Sequence, residues 1–301
     1  MYAVEDKILL WGIGREYNKV LNLIKSYDVS KQFRVVGVTD RDLPDATFID
    51  GYSVIHKDKL NCVDFDYIIV MSDTYFCEIM NEAKIKYDVD EVKIINYKVL
   101  CIPYFDFKKY VILKASRISI ISNNCWGGIL CNTLGIECCS PFKNVSFNDE
   151  DYLKLLENLK YYMELKPEFL GEYQKDTNSG LNVPMLKLGD IKIKCNHYPV
   201  AQDAIAKWEE RKRKINWDNL FIEMYTEAKD VAYRFVNNEY ENKICFVPFE
   251  SDGLNIYQLK MVRGMKNFYE IVNASAALGK NSYAFDLVTL LLSNSIVTRV
   301  K

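Results

Sequence analysis

Two groups in this sequence have the chemistry of a proton-transfer base: His197, in Asn196-His197-Tyr198, and Asp218, in Trp217-Asp218-Asn219. Imidazole titrates near neutral pH, so His197 at a strand end can act as a general base, with the Asp218 carboxylate as its alternative. The stretch Ser122-Asn123-Asn124-Cys125-Trp126-Gly127-Gly128 supplies a hydroxyl, two amides, a large ring and a close-approach glycine. Sugar sites use such groups: amides and hydroxyls for sugar hydroxyls, an aromatic ring for the apolar sugar face. Ser122, Asn123, Asn124, Trp126, Gly127, Asn196 and Trp208 are therefore candidate substrate-binding residues, and the same residues also suit a capped, well-packed turn. Arg211-Lys212-Arg213-Lys214 ends a helix. Its cations complement the negative helix end, while Arg211 or Arg213 could hold a phosphate bidentately. A thiol at a helix entry can be an activated nucleophile, so a Cys125–His197 dyad is a third possibility.

The elements that must position these groups alternate strand with helix. Lys7–Trp11, Phe33–Asp40, Tyr67–Met71 and Val92–Asn96 read as buried strands, with helices from about Tyr17 and from Tyr75 to Lys86. This alternation predicts a parallel sheet with crossover helices over residues 1–100. Gly12-Ile13-Gly14 follows the first strand and Asp40 ends the second. Two glycines permit a tight strand-to-helix turn with free N–H groups, and a carboxylate at Asp40 could accept from a ribose. Gly12, Gly14 and Asp40 are thus the candidate nucleotide contacts, although Tyr17 stands where the third glycine of the dinucleotide motif would fall. The triplets Asp40-Arg41-Asp42, Asp64-Phe65-Asp66 and Asp149-Glu150-Asp151 match a metal-binding pattern that 41 acidic residues supply by chance, and no metal site is assigned.

Cys101–Phe107 reads as a connection to a second α/β domain over residues 113–301. There, Arg117–Ile121 predicts a strand, Asp149–Leu165 one helix capped by Asn148 or Asp149, and Met185–Cys195 a hairpin. A helix is expected over 201–214, strands over 220–224 and 243–247, helices near 229–237 and 285–292, and a loop over 171–180.

The first ninety residues, with LLWGIGREYNKVLNLI, VVGVTDRD, GYSVIHKDKL, DYIIVMSD and VKIINY, resemble Rossmann-like domains found beside transferases and sugar-modifying enzymes of bacterial surface-polysaccharide pathways. Residues 115–225, with ISNNCWGG, LGDIKIKCNHY and KWEERKRKINWDNLF, resemble an uncharacterised bacterial family described as exopolysaccharide biosynthesis proteins. These resemblances imply a transferase using a nucleotide-activated sugar, or a non-catalytic sugar- or nucleotide-binding partner of such a transferase. A cysteine-dependent hydrolase or acyltransferase is the third alternative. The implied cofactor is a nucleotide or nucleotide sugar, and the implied partners are that sugar and other polysaccharide-assembly proteins.

The bulk numbers are compatible with this. The chain has 301 residues, 49% hydrophobic and 27% charged, with a net charge of −2 that gives no pull toward nucleic acid. No apolar run reaches the roughly 20 residues of a membrane span, and the start at Met1–Lys7 lacks a secretory pattern. Nine cysteines, an odd number scattered through apolar segments, read as free thiols in the cytoplasm. Their spacing matches no zinc motif. The 21 tyrosines lack the basic groove that a nucleic-acid stacking surface needs.

Overall fold

The computed structural model describes residues 5–43, 47–176, 180–261, 264–278 and 285–294. The first four residues of the start motif, and residues 177–179 of the expected 171–180 loop, lie outside the described residues. The chain forms two compact units, residues 1–115 and 116–301.

In the first unit, β1 (Lys7–Trp11), α1 (Arg15–Val29) and β2 (Arg34–Thr39) are followed by a short antiparallel pair, β3 (Phe48–Ile49) and β4 (Tyr52–Ser53). Then come β5 (Tyr67–Val70), α2 (Phe76–Tyr87), β6 (Ile94–Asn96) and α3 (Phe107–Ala115). The strands pair in parallel in the order β2-β1-β5-β6, the sheet expected of a Rossmann-like domain. Both faces of the sheet are covered, which is why its strands are continuous apolar runs rather than alternating ones. Leu9, Trp11, Ile68 and Val70 pack with Ala83 of α2. Residues 101–107, expected to be connection only, lead into α3, whose Phe107 ring sits edge-on to Phe33 and Tyr67.

The second unit opens with β7 (Ser119–Ser122) and α4 (Trp126–Leu134). The expected single helix over 149–165 is two, α5 (Asp149–Glu157) and α6 (Leu159–Glu164), because Asn158 leaves helical geometry at φ −147°. Asn148 caps α5 by accepting from the Asp151 N–H, as its residue type predicts. A three-stranded antiparallel sheet follows: β8 (Glu168–Lys175), β9 (Asn182–Leu188) and β10 (Ile191–Lys194), with β9 central. β8 corrects the loop expected from residue 171; its side chains are almost all exposed, so no apolar alternation marks it.

The remainder is α7 (Ala201–Lys212), β11 (Leu220–Tyr225), α8 (Lys229–Val236), β12 (Lys243–Val247), β13 (Ile256–Gln258), α9 (Phe268–Ser275) and α10 (Leu287–Ser293). The main sheet of this unit is parallel, in the order β13-β12-β11-β7. One of its faces, with Ile121, Ile222, Met224, Cys245 and Val247, joins a core with α5, α7, α8 and the antiparallel sheet. The opposite face carries Phe221, against which the Trp126 ring stacks.

Candidate functional site

Strand alternation puts Phe221, Glu223 and Tyr225 on one face of β11, and Glu223 lies opposite Ser122 of β7. Glu223 is therefore a carboxyl group inside the sheet, 0% exposed. Asn124 Nδ2 donates to its Oε1 at 3.0 Å, and Oε2 has no hydrogen-bond partner. Burial drives its pKa up to about 8, against the downward pull of Asn124 and Ser122, so the group is mainly neutral at pH 7.

The turn after β7 is locked onto this strand. Asn123 Oδ1 accepts from the Tyr225 N–H at 3.0 Å and its Nδ2 donates to the Tyr225 carbonyl at 2.9 Å. Asn124 Nδ2 also donates to Asn123 Oδ1, and Asn124 Oδ1 accepts from the Trp126 N–H at 2.7 Å. The Gly127 N–H donates to Ser122 Oγ at 3.2 Å. These bonds satisfy donors of the first turn of α4 that would otherwise be left open.

Beside this turn, at the carboxyl ends of β7 and β11, lies an open cleft of about 580 Å³. Asn123, Asn124, Tyr225 and Thr226 line it from the strand ends, Ser146 and Asp149 from the segment entering α5, and Tyr269 from α9. Thr226 Oγ1 donates to Asp149 Oδ2 at 2.5 Å. Burial raises the Asp149 pKa; the Thr226 hydroxyl lowers it, and the carboxylates of Glu150, Glu227 and Asp230 raise it further. Tyr225 Oη donates to Glu227, which also lines the cleft. No lysine or arginine is among the described lining residues.

The expected site residues separate on this frame. Ser122, Asn123, Asn124 and Gly127 form one turn, and their polar atoms are engaged in holding it. Trp126 is a correction: it is 0% exposed, stacked on Phe221, with Nε1 donating to Ser275 Oγ, so it offers no ring face to a sugar. Trp208 is likewise core, packed against Phe142 at 5.4 Å. Asn196 reaches this neighbourhood, donating to Ser146 Oγ at 3.0 Å and to Cys125 Sγ at 3.6 Å. The partners of Cys125 are Asn196 and Tyr269, not the His197 expected for a dyad.

His197 is exposed on the turn after β10 in left-handed backbone, φ 68°, and does not line the cleft. Asp218 also stands apart from the carboxyl-end cleft. It precedes β11, hence lies at the amino end of the sheet, roughly 20 Å of strand from the carboxyl-end turn. It lines a different cleft of about 480 Å³ with Trp217 and Lys160. Arg211 donates to Tyr198 Oη and the Lys143 carbonyl, and Arg213 is exposed at the end of α7; neither lines the carboxyl-end cleft. Glu223 and Asp149, which the sequence reading does not single out as site residues, are the acids that the structure places beside this turn and cleft.

In the first unit, Gly12 has φ +113° and its N–H donates to the Thr39 carbonyl. Asp40 Oδ2 accepts from the Ile13 N–H at 2.7 Å and Oδ1 from its neighbour Arg41. The carboxylate expected to meet a ribose thus ties down its own glycine loop. Gly14 is the residue before α1, and nothing stands within 4 Å of a Cβ built on it.

Comparison with known proteins bears on the second unit most. A family model described as a domain of unknown function, DUF1919, matches residues 96–291. The chain belongs to the DUF1919 family. The site described above lies wholly within the DUF1919 region. Residues 4–95 match a second model, the N-terminal domain of C2185-like proteins. An uncharacterized protein of Haemophilus influenzae is 29% identical over 178 residues, covering 57% of this chain and 82% of that protein. Membership of an uncharacterised family, expected from ISNNCWGG and the motifs after it, is therefore met. No described helix is long and apolar enough to cross a membrane.

Proposed function

We propose that this chain is a cytoplasmic transferase of bacterial surface-polysaccharide assembly, and that the cleft at the carboxyl ends of β7 and β11 holds its sugar acceptor. The lining of the cleft is the observation that carries this reading. It offers carboxylates, hydroxyls and two tyrosine rings, without a cation among the described lining residues. Sugar hydroxyls pair with carboxylates and hydroxyls, and the rings can cover apolar sugar edges. Asp149 is the base in this reading. Its half-buried carboxylate would take the proton of an acceptor hydroxyl while that oxygen bonds to the transferred sugar carbon. The bond from that carbon to the donor's diphosphate breaks, and the nucleoside diphosphate leaves with the bonding pair. A raised pKa makes Asp149 a stronger base.

A nucleotide-activated donor brings a diphosphate, which Asp149 and Glu227 repel. The same feature favours a second reading, in which the chain binds sugar without catalysis and assists a separate transferase. Calorimetric titration of the full chain with neutral and amino sugars, acidic sugars and nucleotide sugars separates these cases. A neutral or amino sugar should bind, and Asp149→Asn should retain binding within a few-fold. If transfer from a nucleotide-sugar pool is seen with the native chain and lost in Asp149→Asn, the catalytic reading stands. Binding without transfer favours the second reading. Tight binding of free nucleoside diphosphate that Asp149→Asn leaves unchanged would overturn the placement of the site.

A further inference from the structure

The amino end of the parallel sheet in the second unit carries the cleft that Trp217 and Asp218 line. β11 and β12 are neighbouring parallel strands, so the residues leading into them lie side by side. Trp217 and Asp218 lead into β11, and residues 239–242 lead into β12. The Ile222 N–H donates to the Asn242 carbonyl at 2.9 Å, and Tyr240 Oη donates to the Leu156 carbonyl of α5 at 3.1 Å. These bonds hold both segments beside the junction of α5 and α6. There Asn158 leaves helical geometry, and Glu157, Asn158 and Lys160 form the third wall of the cleft.

Three features of the lining point to a ligand. The first is Trp217 itself. Of the four tryptophans, Trp11, Trp126 and Trp208 are buried at 2% exposure or less, whereas Trp217 is 37% exposed on the cleft wall. The second is charge. Glu157, Asp218, Glu239 and Glu241 line the cleft, and none has an ion-pair partner among the described residues. Other acids of the unit do: Glu137, Glu150, Glu168 and Asp190 each meet a lysine or arginine. Arg234 lines an adjoining depression with Glu157 and Glu239, but both oxygens of Glu150 hold its guanidinium. The third is Lys160, the one cation among the described lining residues, whose Nζ lies 5.8 Å from the centroid of the Trp217 ring. An ammonium thus already rests against this ring, near the outer limit of about 6 Å for such attraction.

We propose that this cleft binds a small organic ammonium ion, seated on the Trp217 ring with its charge among the carboxylates of Glu157, Asp218, Glu239 and Glu241. The ring attracts the cation through its negative face and covers the methylenes beside it, while carboxylates accept from the N–H groups. A neutral ligand would use the ring but leave the carboxylates without a counter-charge, and an anion would be repelled. Lys160 is a tethered competitor in this arrangement. An arriving ammonium displaces its Nζ from the ring, and the long flexible stem carries the charge out to water. The walls are already bonded in place, so binding needs little further ordering. This site lies at the opposite end of β11 from the cleft of Asp149 and does not rest on the transferase reading.

Trp217 is its own reporter, because the other three tryptophans are buried. The test is titration of the full chain with putrescine at constant ionic strength, followed by tryptophan fluorescence, with the neutral diol analogue of putrescine as control. Putrescine should give a saturable change with a midpoint in the millimolar range or below, and the diol should give none. Trp217→Phe should remove the signal. Asp218→Asn combined with Glu239→Gln should weaken binding by about ten-fold. Lys160→Ala should tighten binding a few-fold, because the competitor is gone. Asp149→Asn should leave the signal as it is, which separates this site from the carboxyl-end cleft. An equal response to the diol, a change that does not saturate, or a Lys160→Ala variant that binds more weakly would overturn the proposal.

Discussion

Asn124 Nδ2 donates to Glu223 Oε1 across 3.0 Å, joining the first turn after β7 to the one carboxyl group buried at 0% exposure in β11 among the described residues. The same amide bonds Asn123, and its oxygen holds the Trp126 N–H. One side chain thus ties strand β11, the turn and the start of α4 together. The polar residues of the turn are occupied in placing the cleft wall. The acids beyond it, Asp149 and Glu227, line the cleft itself.

Glu223 should give the chain a stability that falls as pH rises. Its folded pKa is about 8, raised by burial from the usual 4.5. Below 4.5 both folded and unfolded forms are protonated. Between 4.5 and 8 the unfolded chain releases this proton and the folded chain keeps it, so unfolding becomes easier with each pH step. Each pH unit in that window is worth about 1.4 kcal/mol, for a total of roughly 3–5 kcal/mol. Urea unfolding at pH 5 and pH 8 should show Glu223→Gln losing less stability than the native chain by this order. Equal losses in the two proteins would mean that Glu223 is not neutral in the fold.

Asn124→Ala removes the acceptor of the Trp126 N–H and a donor to Glu223 Oε1, both buried. Leaving such groups open should cost about 2–4 kcal/mol. Asn123 keeps its pair of bonds to Tyr225, so the turn should persist in weakened form. Chemical denaturation measures this directly. A loss below about 0.5 kcal/mol, the scale of an ordinary surface change, would count against the clamp.

The parallel sheets were legible because buried strands such as Ile8–Trp11 and Ile68–Val70 are unbroken apolar runs. The Asn148 cap was legible because Asn followed by three acids is a helix start in chemical terms. The break at Asn158 was hidden by an apolar pattern, Leu153, Leu156 and Leu159, that runs straight through it. Asp218 lies away from the carboxyl-end cleft for a reason its position states: a residue before a parallel strand lies at the amino end, and sites gather at the other end. Glu223 was read only as part of a strand, LFIEMY. A single acid on the buried face of such a strand is expensive, and that expense was the available signal. Asp149 reaches the cleft through its contact with Thr226, a residue 77 positions away, which no local pattern reports.

Asp149 should titrate above the ordinary aspartate range, because burial and neighbouring acids oppose its charge. The Thr226 hydroxyl donates to it and favours the ionised form. Thr226→Val should therefore move the midpoint further up, and Glu227→Gln should move it down. Its stability contribution has the same sign as that of Glu223, present at low pH and lost as pH rises through the folded value. Carboxyl carbon NMR titration of the three proteins gives the order directly. A midpoint that falls in Thr226→Val would reverse the role assigned to that hydroxyl.

Three glycines of the candidate sites make a final comparison, because their surroundings differ. A Cβ on Gly127 would meet Ser122 Oγ at 2.7 Å and Ile120 Cγ2 at 2.8 Å, so α4 rests on β7 at a distance only glycine allows. Gly127→Ala should destabilise by about 1–3 kcal/mol through overpacking, despite the better helix propensity of alanine. Gly12 is less crowded but still tight, with Met71 Cβ at 3.3 Å, and its φ of +113° strains any other residue. Gly12→Ala should cost on the order of 1–3 kcal/mol. Gly14 has neither constraint: its φ is −83°, it precedes α1, and nothing lies within 4 Å of a Cβ. Gly14→Ser adds a capping hydroxyl to α1, whose cap position has no side-chain bond, and should leave stability unchanged or raise it by up to about 1 kcal/mol. Thermal melts of the three variants should rank Gly14→Ser above both others. A Gly14→Ser variant that folds normally yet loses binding of a nucleotide would assign that glycine to ligand approach rather than to the turn.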